Sequence, residues 1–184
     1  MMPNNAVAAG SVGPSPGSFA ADEEATHPII VDTRFGRLEF DPTQTIAMPR
    51  GMLGFPENKA FALTTVPDPR IRNFMLFQSL TDSELSFLTL PLSFESGIID
   101  GQDLGAARRN LGIASEDFAA ILIVSIRNIA GKAQTSVNLR APVFLDARNR
   151  TGWQYVMPNA SYAVRHVMPS LDEITPADQA GGAD

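Results

Sequence analysis

The chain has 184 residues, with two histidines and no cysteine. The residues available for acid–base, nucleophilic or metal chemistry are therefore few. Without cysteine there are no disulfides, no thiolate nucleophile and no thiolate zinc site. His27 stands at the border of a Pro/Gly/Ala-rich tail. His166 follows Arg165 at the end of an apolar stretch and is the better candidate for a general base or a binding contact. No nucleophile signature accompanies it, so a partly buried histidine bonded to a neighbouring loop is the preferred reading. Gly13-Pro14-Ser15-Pro16-Gly17 spells a G-x-S-x-G nucleophile elbow. That elbow needs a strand before it and a helix after it, and the flanking Pro/Gly-rich sequence offers neither. There is no Gly-rich phosphate loop and no paired-histidine metal motif. Asn149-Arg150-Thr151 and Asn159-Ala160-Ser161 match the glycosylation pattern but read as turns, since no secretory signal is expected. The sequence points away from catalysis and calls for no metal or cofactor.

Binding residues are the alternative. Ala133, Thr135, Val137 and Leu139 alternate with Gln134, Ser136, Asn138 and Arg140, a strand pattern with one polar face. Asn138 and Arg140 then belong either to a docking surface or to an ordinary solvated face. In the loop Pro49–Pro56, Gly51 and Gly54 suit backbone with positive φ. Met52, Leu53 and Phe55 beside them either fold back onto the core, the preferred reading, or present an apolar patch.

The elements that position these residues are short strands. Ile29–Val31 and Leu38–Phe40 flank a hairpin turn at Arg34–Arg37. Thr45–Met48, Phe61–Val66, Phe74–Ser79, Phe87–Leu90, Ala120–Ile126, Ala133–Arg140, Val143–Leu145, Trp153–Met157 and Tyr162–Val167 follow. Pro142 ends its strand or marks an edge. One segment, Gln102–Leu111, has helical spacing, and Gly112 is its natural stop. Many short strands and little helix predict an all-β, mainly antiparallel barrel-like or sandwich domain with one or two short helices.

This domain is expected over residues 28–169. Residues 1–27 and 170–184 hold few large apolar side chains and are expected to be disordered tails. The formal net charge of −6 belongs to these tails. Asp22, Glu23 and Glu24 precede the domain; Asp172, Glu173, Asp178 and Asp184 follow it. Between them thirteen acids meet fourteen bases. The near-neutral, Arg-rich middle keeps a direct RNA-binding barrel open as a second reading, although no strand interleaves aromatic with basic residues as a stacking platform would. No apolar run reaches the roughly 20 residues of a membrane span, so a cytoplasmic protein is expected.

A set of motifs now joins up. Thr33-Arg34-Phe35-Gly36 is followed by Met48-Pro49-Arg50-Gly51-Met52-Leu53-Gly54-Phe55. Phe77-Gln78-Ser79-Leu80-Thr81-Asp82 and Leu85-Ser86-Phe87 come next. Asn138-Leu139-Arg140-Ala141-Pro142-Val143 and Tyr162-Ala163-Val164-Arg165-His166 complete the series. In this order the motifs resemble the flagellar assembly factor FliW family over about Ile29–Met168. Met48 and Met52 stand where Phe and Ile are expected, and the N-terminal extension lies outside the pattern. The resemblance implies a bacterial cytoplasmic, non-enzymatic protein of small β-barrel-like fold. It also implies that the chain binds flagellin before its export and binds the translational regulator CsrA, relieving repression of flagellin synthesis. Asn138, Arg140, Arg165 and His166, polar residues within those motifs, are the expected partner-binding residues.

Overall fold

The computed structural model describes residues 27–168. The tails and the Gly13–Gly17 elbow lie outside the described residues, apart from His27, which is exposed at their edge. Eleven strands and one α-helix follow in order: β1 Ile29–Thr33, β2 Gly36–Phe40, β3 Ile46–Ala47, β4 Ala60–Thr65, β5 Met75–Ser79, β6 Ser86–Pro91, α1 Gly101–Leu111, β7 Phe118–Ile129, β8 Lys132–Val137, β9 Val143–Asp146, β10 Thr151–Gln154 and β11 His166–Val167.

β1 and β2 form a separate hairpin whose turn is held by Thr33: its hydroxyl donates to the Gly36 carbonyl and accepts from the Phe35 N–H. The other nine strands make one sheet. β3, β4, β5, β6 and β7 pair antiparallel in succession, β7 pairs with β9, β9 with β10, and β10 returns to β3 in the one parallel pairing. That circuit closes a seven-stranded, barrel-like ring, and closure leaves those strands without a free edge along the circuit. β8 and β11 extend from it beyond β7.

Strand alternation sorts the core into two faces. Ile46, Phe61, Phe77, Ile121, Val143 and Leu145, drawn from strands around the ring, cluster with Met48 and Met52. Phe61 and Phe77 stack at 4.6 Å between ring centroids, an aromatic pairing worth about 0.5–1.5 kcal/mol beyond area burial. The other face carries Leu76, Leu90, Leu122, Val124 and Phe144 and is covered by Leu104 and Ala107 of α1. The expected helix forms, with its expected stop at Gly112. Asp100 caps it by accepting from the Gln102 N–H, and Gly112 ends it at φ +69, where the left-handed region suits glycine.

Three strand expectations are corrected. The strand expected through Arg140 ends at Val137. The one expected at Trp153–Met157 runs instead from Thr151 to Gln154. The one expected from Tyr162 shrinks to His166–Val167, because Tyr162 is tied to α1 instead: its hydroxyl donates to Asp103 at 2.7 Å and accepts from the Asp100 N–H at 3.0 Å. Pro142 does not mark an edge; it is buried in a bend before β9, which is paired on both sides.

Candidate functional site

The expected binding residues converge on the bend between β8 and β9. Both strands run along β7, but not in one register. Val124 faces Val137, whereas Ile121 faces Val143. Three steps along β7 thus match six along the opposing chain, so three surplus residues must loop out between β8 and β9. They are held by Asn138, whose side-chain oxygen accepts from the Ala141 N–H at 2.9 Å, while its own N–H donates to Ile123.

Arg140 is engaged from every side. Its guanidinium donates to the Asn159 carbonyl at 2.6 Å. Its N–H donates to Ala163, and its carbonyl accepts from the Met157 N–H at 2.9 Å. Asn138 and Arg140 therefore do not line a polar strand face. They hold the bend against the chain after β10. Asn159 is itself ordered by an Asx turn, its side chain accepting from the N–H and hydroxyl of Ser161. Both glycosylation-like sequences are turns, as expected. In the other, the Asn149 N–H and side-chain amide donate to Asp146, and those bonds hold the Asp146 carboxyl below its ordinary pKa.

His166 pairs with Val137 on β11 and is half-buried; Arg165 before it is exposed. All four expected residues thus lie in one neighbourhood, with Arg165 free on the surface. Burial and donation to Asp103 push the Tyr162 phenol above its ordinary pKa, consistent with its bridging role. Among the described residues no cluster of three His, Asp or Glu side chains is placed to hold a metal, and no helix is long and apolar enough to cross a membrane.

The Phe77–Asp82 motif is structural. Gln78, fully buried, donates from its amide to the carbonyls of Ser79 and Leu85, with Asp82 and Ser83 at the limit of reach. The Ser79 hydroxyl donates to Asn58 and accepts from the Asp82 N–H. Buried polar groups need such partners, which explains why this turn is so rich in them.

The loop Pro49–Pro56 divides between the two readings made for it. Met52 folds back and is 2% exposed, whereas Leu53 is 56% exposed. Phe55 sits at the boundary, edge-on to Phe87. Leu53 is held out by its N–H, which donates to the Gln154 side chain at 2.9 Å. Between this loop and the end of β10 runs a groove of about 630 Å³ lined by Arg50, Leu53, Gln154, Tyr155 and Val156 among others. Val156 is 50% exposed. Sequence reasoning found Leu53 but missed Val156, because the two come to line one groove only through the closure of the ring.

Comparison with known proteins completes the description. The family model described as "FliW protein" matches residues 29–168. The chain is 32% identical over 140 residues to the flagellar assembly factor FliW of Syntrophus aciditrophicus, covering 74% of this chain and 85% of that protein. It is also 32% identical over 143 residues to the FliW of Syntrophotalea carbinolica, covering 75% and 96% respectively. A crystal structure of the flagellar assembly factor FliW superposes with a TM-score of 0.58 at 25% identity, covering 76% of this chain and 97% of that one.

Proposed function

This chain belongs to the FliW family of flagellar assembly factors, and from that premise we propose that it binds flagellin in the cytoplasm as a chaperone-like partner and, by exchange, antagonises CsrA. The observation that carries the reading is the family match across the whole described domain, residues 29–168.

The control is arithmetic. Flagellin and CsrA draw on one pool of this protein. While flagellin accumulates it occupies the pool, and CsrA is left to repress flagellin translation. Once flagellin is exported, the pool is released to CsrA. The output turns on two affinities and one changing concentration, and requires that the flagellin-bound form bind CsrA more weakly than the free form does.

Two surfaces are available for this binding. One is the β8–β9 bend with β11, where Arg165 and His166 would contact a partner and Asn138 and Arg140 would position the backbone. The other is the groove between Leu53 and Val156, whose apolar rim suits a partner's hydrophobic side chains. Co-purification of the full chain with flagellin and with CsrA tests the proposal. Retention of either at micromolar concentration supports it, and retention of neither overturns it. A gel shift with flagellin leader RNA separates the alternative of direct RNA binding: a shift without CsrA would favour that alternative.

A further inference from the structure

β7 is twelve residues long, but the ring uses only its first half. Its pairing with β6 ends at Ile123, opposite Thr89. From Val124 onward only β8 accompanies it, through Ile129 opposite Lys132. Residues Ser125–Gln134 are all exposed. The two strands thus project as a ribbon. Among the described residues, no strand pairs with the side of β7 opposite β8 beyond Ile123.

The polarity of that free edge follows from the ladder. The Leu92 N–H donates to the Ala120 carbonyl, so even-numbered residues of β7 address the β6 side. The odd-numbered Ile123 addresses the other, accepting from the Asn138 N–H. Val124, Ile126 and Asn128 therefore direct their N–H and C=O groups outward along the free edge. A row of such groups is a template for an added strand.

The side chains define what would be added. Ile126 is 38% and Ile129 50% exposed. Arg127 and Lys132 are exposed, as is Arg165 beside β11, and no Asp or Glu occurs between Asp117 and Asp146. This end of a chain of net charge −6 is locally basic. A second copy of the same ribbon would bring like charges together.

We propose that the free edge of β7 at Val124–Ile129 receives an extended, acidic segment of a partner protein by strand addition, with its acidic side chains on the face of Arg127 and its aliphatic ones on the opposite face, beside Ile126. Backbone bonds supply the attachment, and alternation of acid and aliphatic residues supplies the specificity. This goes beyond the flagellin and CsrA reading and does not depend on it.

The probe is a fluorescein-labelled peptide of alternating Glu and Val, titrated with the full-length protein and read by anisotropy. A peptide of alternating Lys and Val and an oligouridine serve as controls. Asn128→Pro removes an N–H that faces the free edge and puts a ring there, while sparing the bonds to β8. It is expected to weaken the Glu/Val peptide by about tenfold or more. Arg127→Glu is expected to weaken it comparably and leaves the backbone intact, so it also covers the case in which the proline variant does not fold. The proposal is overturned by any of four results: no saturable binding of the Glu/Val peptide, equal binding of the Lys/Val peptide, binding of the oligouridine in its place, or a homodimer that Asn128→Pro dissociates.

Discussion

Replacing Gly51 by Ala tests whether the loop that carries Met52 and Leu53 is built as described. Gly51 has φ +65, and a Cβ there would lie 2.4 Å from the Phe55 carbonyl oxygen and 2.7 Å from Pro56 Cα. Both are backbone atoms, so no side chain can rotate away to relieve the contact. Gly54, in the same loop at φ +89, has nothing within 4 Å of its would-be Cβ. The left-handed backbone costs a non-glycine residue about 1–2 kcal/mol, and the stiffer unfolded chain returns about 0.4–1. Gly54→Ala should thus destabilise by roughly 1 kcal/mol. Gly51→Ala adds a displacement of about 1 Å within a packed loop, an overpacking cost of about 1–3 kcal/mol, for a total of about 2–4. With a urea dependence near 2 kcal/mol per M, the midpoint should fall by about 1–2 M for Gly51→Ala and about 0.5 M for Gly54→Ala. The single tryptophan, Trp153 on β10, provides the fluorescence signal. Equal shifts for the two variants, or a Gly51→Ala midpoint within about 0.5 M of the parent, would refute the reasoning.

Three other outcomes follow from the same kind of bookkeeping. Asn138→Ala leaves the Ala141 N–H without its partner and should cost about 1–2 kcal/mol in urea unfolding, whereas Asn138→Asp, which keeps an acceptor, should recover most of that. At the ribbon tip Ala130 has φ +51 ahead of Gly131, the geometry of a type I′ turn that prefers Asn-Gly. Ala130→Asn should therefore stabilise the tip by roughly 0.5–1 kcal/mol, read as amide exchange slowed about two- to fivefold at Ile129 and Lys132. The Asp146 carboxyl is held below its ordinary value by the Asn149 N–H and side-chain amide. The unfolded chain therefore takes up the proton first. Stability from this group is present above the ordinary Asp range near pH 4 and is lost as pH falls through the lower folded value. Asp146→Asn should flatten that acid limb of the stability profile, and an unchanged limb would contradict the assignment.

Local signals in the sequence were sufficient for much of this structure. The α1 helix announces itself by spacing and by Gly112 at its end, both signals among residues within a few positions of one another. The β1–β2 hairpin, the two Asx-type turns and most strand positions were legible for the same reason. The order of motifs was enough to place the family, over the same residues that the family model matches. The candidate site was legible only as a set of names. Asn138 and Arg140 read as a strand face because their alternation is intact; the structure makes them the clamp of a bend. That difference arises because register is set by pairing with β7, where three surplus residues must be looped out, and pairing is not local. The same physics explains Val156, which lines one groove with Leu53 across about a hundred residues of chain, and the free half of β7, which no local signal marks as unpaired. Periodicity, caps and turn residues act over a few positions and can be read in order along the chain. Which edges stay open, and which distant loops meet to form a groove, is decided only when the ring closes.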